Sequence, residues 1–345
     1  MNKRLITVAT IIILSCLCTI SVWAYYQYEL NKPVIGADDV SVIEIRSGQS
    51  FNSITHQLIS EGVLNSPWIM KVYGRVSGLS SQLKAGEYRL QGALTIPQLV
   101  DILVSGRSIS YQITLVEGWT FKEVLNELSR HNKIKQVVGD NKPLEILSAV
   151  TDQYQHPEGL FFPDTYAYKK DDTDLSIVVR AFNRMQKVLK EEWELRDKTV
   201  PLASPYEALI LASIVEKETG DASEREQIAG VFVRRINKGM RLQTDPTVIY
   251  GIGEDFDGDL TRRDMRTDTP YNTYTRFGLP PGPIALPGQA SIHAALNPAD
   301  GEELYFVATG LADGSHRFSA TLEEHEAALA EYLQRLRNPE EAPPE

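Results

Sequence analysis

Two acidic residues, Glu216 and Glu218, follow an almost wholly apolar segment, residues 208–215. A carboxyl group in that position is partly removed from water, which favours its neutral form and raises its pKa. A carboxyl group with a raised pKa can act as a general acid near neutral pH. The pair therefore marks the first candidate catalytic site of the chain.

The residues before the apolar segment carry the signals of a helix N-terminus. Ser204 can cap the helix, Pro205 suits the first helical position, and Glu207 completes a Ser-x-x-Glu capping box. Because successive helical residues turn by about 100°, Glu218 falls on one apolar face and Glu216 lies roughly opposite. The face of Glu218 carries Leu211, Ile214 and Val215. Only one of the two acids can point into a given cleft, and we assign the catalytic role to Glu218.

A structural role is the alternative for both acids. They could be exposed beyond the end of the apolar face, or could form surface ion pairs with residues such as Arg225. A second helix is predicted over residues 224–238, with Gly239 as its C-terminal stop.

Polar and aromatic residues are concentrated in three downstream segments rich in proline and glycine, 240–251, 270–275 and 278–288. Repeated proline and glycine disfavour helix and central strand, so we predict shaped loops that form a binding groove. Amides can hydrogen-bond sugar hydroxyl and acetamido groups, and tyrosine rings can pack on the apolar face of a sugar. The candidate substrate-binding residues are Gln243, Thr244, Asp245, Tyr271, Asn272 and Tyr274. The alternative is that these residues close Asx-type turns with their own side chains.

The N-terminal segment predicts a membrane anchor. Residues 5–24 carry no charge and are long enough to cross a hydrocarbon core of about 30 Å. Lys3 and Arg4 precede this run, which places the N-terminus in the cytoplasm and the residues after Ala24 outside it. A cleavable signal peptide is the alternative, because residues 22–24 resemble a cleavage site, although the apolar run exceeds the usual length of about 7–15 residues.

The composition narrows the classes of function. A chain of 345 residues, 42% of them hydrophobic, can bury a substantial core, and its net charge of −11 argues against nucleic acid as a partner. Cys16 and Cys18 both lie in the predicted anchor, which leaves no thiol elsewhere for a disulfide or a zinc–thiolate site. His316 and His325 lack the clustered spacing of a metal site, so we expect no metal and no cofactor. We expect His316 to line the groove or to order a hairpin.

The region after the anchor repeats one pattern three times. A hydroxyl residue, the predicted N-cap of an amphipathic helix, precedes apolar residues at helical spacing. The three hydroxyl residues are Ser50, Thr95 and Thr120. Alternating segments that predict strands come before them, at residues 42–45, 86–90 and 111–116. Residues 42–106 resemble the LysM-like module, a small fold that binds cell-wall glycans; a packing platform without a ligand is the alternative.

Four motifs, in this order, resemble the endolytic murein transglycosylase family, also called the MltG or YceG-like family. They are ASIVEKET at 212–219, RLQTDPTVIYG at 241–251, YNTY at 271–274 and GLPPG at 278–282. The resemblance covers nearly the whole chain. It implies cleavage of nascent peptidoglycan strands between N-acetylmuramic acid and N-acetylglucosamine, which leaves a 1,6-anhydro-N-acetylmuramic acid end. In that family the second acid of the Glu-Lys-Glu run is catalytic, which here is Glu218.

The implied reaction needs only one carboxyl group. Glu218 would protonate the glycosidic oxygen and then accept the proton of the muramyl C6 hydroxyl as that oxygen closes on C1. One alternative is a hydrolytic muramidase, with Asp245 as the second carboxylate. The other is a noncatalytic peptidoglycan-binding scaffold protein.

The predicted fold is α+β, with a single N-terminal transmembrane helix, a LysM-like α+β module and a mixed α+β catalytic domain. The predicted boundaries are 1–24 for a cytoplasmic stub and anchor, 25–40 for a linker, 41–108 for the LysM-like domain, 109–336 for the YceG-like catalytic domain and 337–345 for a disordered tail. The predicted location is the cell inner membrane, with the domains after the anchor in the periplasm. The expected partners are peptidoglycan strands, the cytoplasmic membrane and peptidoglycan synthesis proteins.

Overall fold

The architecture mixes helix and sheet, with helix predominant. The structure, a computed structural model, describes residues 3–138 and 143–337. The chain divides into two compact units. Unit 1 comprises the described residues up to Tyr111 together with Ala167–Asp171, and unit 2 comprises Gln112–Tyr166 and the described residues from Asp172 onward. Of the predicted disordered tail, residues 338–345 lie outside the described residues.

Unit 1 begins with a long apolar helix, α1 (Lys3–Asn31). By length and composition, its segment Ile6–Asn31 could cross a membrane. The helix continues beyond Ala24 into the segment predicted as a linker. No proline or glycine interrupts it before Pro33, and Leu30 packs into the core of unit 1. The uncharged run 5–24 therefore predicts only part of this helix.

Two antiparallel strands and three short helices complete unit 1. They are β1 (Val40–Ile45), α2 (Phe51–Ser60), α3 (Pro67–Val76), β2 (Gly86–Gln91) and α4 (Ile96–Ser105). Ile43 of β1 lies opposite Tyr88 of β2, and both side chains are fully buried. Ser50 caps α2, and Thr95 forms a capping box at the start of α4. The first two predicted helices of the repeat are thus confirmed.

Unit 2 is mainly helical. Its strands β5 (Tyr305–Ala308) and β6 (His316–Ser319) form a two-stranded sheet. Another two-stranded sheet consists of β3 (Tyr111–Thr114) and β4 (Thr165–Tyr168), of which residues 112–114 and 165–166 belong to unit 2. Its helices among the described residues are α5 (Phe121–Arg130), α6 (Pro143–Val150), α7 (Asp174–Leu195), α8 (Pro205–Glu218), α9 (Arg225–Asn237), α10 (Asp245–Ile252), α11 (Arg262–Arg266), α12 (Gln289–Leu296) and α13 (Leu322–Arg337). Thr120 forms the predicted capping box of α5.

The helix α8 is central to unit 2. It packs against α7, α9, α10 and α12, and all of residues 208–215 are buried. Ser204 Oγ accepts a hydrogen bond from Glu207 N over 3.3 Å, as the cap requires. The Glu207 carboxylate instead accepts from Ala203 N over 2.6 Å, so it does not close the predicted box. The burial of this whole segment agrees with its almost wholly apolar sequence.

The segment 240–251 is also not the loop that was predicted. Asp245 and Pro246 occupy the first turn of α10, after Thr244 in extended conformation at the N-cap. Proline is compatible with the first helical turn because its missing N–H would have no helical partner there. An acid in the first turn is favoured by the helix dipole. Asp245-Pro246 therefore starts a helix, and the turn before it carries Thr244.

Candidate active site

Glu218 is the last residue of α8, and its side chain is only partly exposed. The hydroxyl of Thr244 donates a hydrogen bond to Oε1 of Glu218. Burial is the main influence on this carboxyl group and raises its pKa to about 7, and the nearby charge of Asp245 acts in the same direction. The Thr244 hydrogen bond and the charges of His316 and Arg235 lower the pKa. Glu218 can therefore exchange a proton near neutral pH.

Thr244 is held in place by a small cluster of threonines. Thr244 N donates to Thr273 Oγ1 over 3.1 Å, and Thr247 Oγ1 lies 2.8 Å from the same Thr273 atom. All three threonines are buried. Gln243 N donates to Thr273 O over 3.2 Å, while Gln243 itself is exposed and has a φ of 52°, which is uncommon for a residue other than glycine. Thr244, which donates to Glu218, is thus held in position by Thr273. Gln243, the residue before Thr244, faces solvent.

Two basic side chains, Arg235 of α9 and His316 of β6, lower the pKa of Glu218. Arg235 is buried, and its guanidinium donates to the backbone oxygens of Leu242 and Leu304, each over 2.6 Å. Glu224 accepts hydrogen bonds from the backbone N of His316 over 2.8 Å and lies 2.7 Å from His316 Nδ1. Neither Arg235 nor Glu224 was predicted for the site. The available signal for Arg235 was the pair of arginines, Arg234 and Arg235, that follows the apolar run 228–233.

Asp245 and Tyr274 form a hydrogen-bonded pair beside Glu218. Tyr274 OH donates to Asp245 Oδ1 over 2.6 Å, and Asp245 is exposed. Tyr271 packs on Tyr250, with ring centroids 4.8 Å apart, and both rings are partly exposed. Burial raises the pKa of Tyr271 and of Tyr274. In the structure, Thr244, Asp245 and Tyr274 therefore lie close to Glu218. Tyr271 lies on the same loop as Tyr274, three residues before it.

Asn272 is fully buried, and its side chain is bonded to α11 and to its own loop. Its Nδ2 donates to the backbone oxygens of Asp264 (3.1 Å), Met265 (3.2 Å) and Thr267 (2.7 Å). Its Oδ1 accepts from Tyr274 N over 2.8 Å. The amide therefore has no free group for a ligand, and its role is to shape the loop that carries Tyr274. This is the turn-closing alternative to substrate binding.

Glu216 is turned away from Glu218. Its Oε2 accepts hydrogen bonds from Gly288 N over 3.0 Å and from Ser291 Oγ over 2.7 Å. Arg225 Nη2 lies 3.8 Å from its Oε1, and the Glu216 side chain is only 6% exposed. Because Gly288 is the N-cap residue of α12, the Glu216 carboxylate holds the start of that helix. The ion pair considered for both acids therefore forms at Glu216, but it is buried.

A second buried carboxyl group, Glu158, lies elsewhere in unit 2. It accepts hydrogen bonds from Phe121 N over 2.8 Å and from Tyr250 OH over 3.1 Å. Burial raises its pKa to about 7. Since Phe121 is the first residue of α5, Glu158 caps that helix with one oxygen and holds a tyrosine with the other.

The histidines have partners other than a metal ion. His316 is bonded to Glu224, and His325 stacks on Tyr305 with ring centroids 5.2 Å apart. Within residues 3–138 and 143–337, no group of three histidine, cysteine, aspartate or glutamate side chains could hold a metal ion.

A carboxyl group with a pKa near 7 that accepts a threonine hydrogen bond can give a proton to a bound molecule or take one from it. The exposed Asp245 and the partly exposed Tyr274 lie close to this group. The chain belongs to the YceG-like family, whose sequence model matches residues 43–331.

Several relatives share most of this chain. The endolytic murein transglycosylase of Bacillus subtilis (strain 168) is 32% identical over 326 residues, which is 89% of each chain. A protein of the same name from Streptococcus pneumoniae serotype 2 (strain D39) is 28% identical over 344 residues, which cover 89% of this chain and 62% of that protein. The crystal structure of a YceG-like protein from Listeria monocytogenes aligns with a TM-score of 0.53 at 31% identity, over 84% of this chain and 99% of the other.

Proposed function

We propose that this chain is a membrane-anchored endolytic transglycosylase of peptidoglycan, with Glu218 as its single general acid and base. It is a lytic transglycosylase enzyme by its family and by the names of its relatives. One observation carries the role of Glu218. Its partly buried carboxyl group has a pKa raised to about 7 and accepts the Thr244 hydrogen bond at the end of a buried helix.

The proposed reaction moves one proton out of Glu218 and one proton back. The carboxylic acid protonates the oxygen that leaves C1 of N-acetylmuramic acid, and the C1–O bond breaks. The C6 hydroxyl oxygen of the same sugar then bonds to C1, while the Glu218 carboxylate accepts its proton. The products are a free N-acetylglucosamine 4-hydroxyl and a 1,6-anhydro-N-acetylmuramic acid end. No water is consumed, and the acid is regenerated.

The surroundings of Glu218 suit both of its charge states. Burial favours the protonated form that starts the reaction, whereas Thr244, His316 and Arg235 favour the carboxylate that forms after the first step. A group whose pKa lies near the working pH serves well in both directions. This balance supports one residue as both acid and base.

The main competing function is hydrolysis with Asp245 as the second carboxylate. The observation that favours it is that Asp245 is exposed and lies close to Glu218. We expect Asp245→Asn to keep anhydro products and to lose less than about tenfold in rate, because an attacking oxygen from the substrate needs no second carboxylate. Mass spectrometry of digested peptidoglycan measures both quantities. Reducing muramic acid ends, together with loss of all cleavage in Asp245→Asn, would favour the hydrolase instead.

The pH dependence of the reaction should follow the Glu218 carboxyl group. The protonated form starts the reaction, so kcat/KM should fall as the pH rises through about 7. Thr244→Val removes a hydrogen bond that lowers the pKa, so the fall should move to higher pH. Asp245→Asn removes a charge that raises the pKa and should move the fall to lower pH. Shifts in the same direction for the two variants would contradict the assignment.

Membrane anchoring by α1 is the second part of the proposal. It is supported by the apolar segment Ile6–Asn31, whose most apolar stretch is not buried in the protein. The positive residues Lys3 and Arg4 before it support an orientation with the N-terminus in the cytoplasm and the two units in the periplasm. Cell fractionation tests this: release of the full chain from membranes by salt alone would argue against an anchor.

The third part is that unit 1 is a LysM-like module that binds glycan. Its support is a cavity of about 320 Å³ with a polar lining of Glu44, Arg46, Gln49, Gln57 and Glu61. Such groups can hydrogen-bond sugar hydroxyls. Cosedimentation of the full chain with insoluble peptidoglycan tests it, and equal retention of an Arg46→Ala variant would argue against this cavity as the binding site.

A further inference from the structure

An exposed aromatic ring and an arginine lie together in unit 2. Phe277 is 66% exposed, on the loop that also carries Tyr271 and Tyr274. The guanidinium carbon of Arg241 lies over the Phe277 ring, 4.7 Å from its centroid. Stacking of the guanidinium on the ring orders both side chains.

Arg241 has no acidic partner within residues 3–138 and 143–337. The ion pairs of the described residues include none with Arg241. Arg276, directly before Phe277 on the same loop, differs because it binds both oxygens of Asp268 at 2.8 and 3.0 Å. In a chain with a net charge of −11, an exposed arginine fixed over a ring and left without a carboxylate can bind one from outside.

A cavity of about 280 Å³ lies beside the Phe277 ring. Phe277 and Thr273 both line it, together with prolines of the same loop. Thr273 Oγ1 accepts the hydrogen bond of Thr244 N, and Thr244 Oγ1 donates to Glu218. One residue, Thr244, therefore lies between Thr273 in the cavity wall and the Glu218 carboxyl group. The volume lies just below the range of about 300–1,000 Å³ that drug-sized ligands occupy.

We propose that Arg241, Phe277 and this cavity form a subsite for the acidic stem peptide of the substrate. This inference rests on the proposed function. The peptide is attached to the muramic acid whose C1 is cleaved, so it leaves the glycan strand within one sugar of Glu218. Its carboxylates match the unpaired charge of Arg241, and its first residues match the size of the cavity. Cleavage is therefore directed to strands that still carry charged stem peptides.

A binding experiment with matched ligands tests the subsite. The full chain carrying Glu218→Gln, in detergent, is titrated by calorimetry with a peptidoglycan tetrasaccharide that bears stem peptides. The second ligand is the same tetrasaccharide with its peptide carboxylates converted to amides. We expect the acidic form to bind about tenfold more tightly, as for one charge-assisted contact of about 1.4 kcal/mol. Adding Arg241→Gln should remove this preference.

A second exposed arginine provides the control. Arg262→Gln, in the first turn of α11, removes the same charge and should keep the tenfold preference. The inference is overturned if the parent shows no preference, if Arg241→Gln retains it, or if Arg241→Gln weakens both ligands equally. Absence of anhydro products with the unaltered enzyme would overturn the proposed reaction instead. The binding result does not depend on that reaction, because the titrated protein carries Glu218→Gln.

Discussion

Glu218→Gln is expected to lower the rate of glycan cleavage by about 10³–10⁴-fold, because glutamine can neither protonate the leaving oxygen nor accept the proton of the C6 hydroxyl. General acid–base catalysis contributes roughly 10²–10⁴ to a rate, and in the proposed reaction Glu218 acts in both steps. The measurement is the release of anhydro-ended fragments from purified peptidoglycan at several enzyme concentrations. The amide retains the size of the side chain and can still accept the hydrogen bond of Thr244.

Folding of this variant can be checked through its stability. The pKa of Glu218 rises from an ordinary value of 4.5 to about 7 in the folded chain, so the folded state binds the proton more tightly than the unfolded state. That contribution to stability is complete below about pH 4.5 and is lost as the pH rises through about 7. At pH 8 the glutamine variant should therefore be at least as stable as the parent. Residual activity above one tenth of the parent rate, in a folded variant, would remove Glu218 from the mechanism.

Glu216→Ala is expected to destabilise unit 2 by about 3 kcal/mol and to lower its melting temperature by roughly 6–12 °C. The substitution removes the acceptor for Gly288 N and Ser291 Oγ at the start of α12. It also leaves Arg225, whose side chain is 13% exposed, without its carboxylate partner. Thermal unfolding followed by circular dichroism measures the effect.

Two matched variants make this prediction specific. Glu216→Gln keeps an acceptor oxygen and should lose less stability than Glu216→Ala. Glu191→Ala removes an acid whose side chain is 57% exposed and which pairs with Lys187 one helical turn away, and it should change stability by less than about 0.5 kcal/mol. If Glu216→Ala resembles Glu191→Ala, the carboxylate does not support α12.

Local signals were sufficient to predict the helix that carries the acid. Ser204 and Pro205 determine where α8 begins, because capping and the first-turn preference of proline depend only on neighbouring residues. The same holds for the caps at Ser50, Thr95 and Thr120. The start of α10 was missed because a proline is read as a helix breaker unless its position in the first turn is recognised.

The roles of individual polar side chains depended on distant parts of the chain. The Glu216 carboxylate is bound by Gly288 and Ser291, which lie more than sixty residues further along the sequence. Arg235 belongs to the site through contacts that no local pattern specifies. Asn272 has the right chemistry for a sugar, yet its amide is fully used by α11 and its own loop. Residue type predicts what a side chain can bind, whereas tertiary packing decides what it does bind.

The central claim is that one carboxyl group and a hydroxyl of the substrate perform the cleavage without water. The most direct test is digestion of peptidoglycan by the full-length enzyme in water enriched in oxygen-18, followed by mass spectrometry of the new muramic acid ends. We predict 1,6-anhydro ends that contain no oxygen-18. Reducing ends that carry one oxygen-18 atom would show that water attacks C1, and would contradict the account.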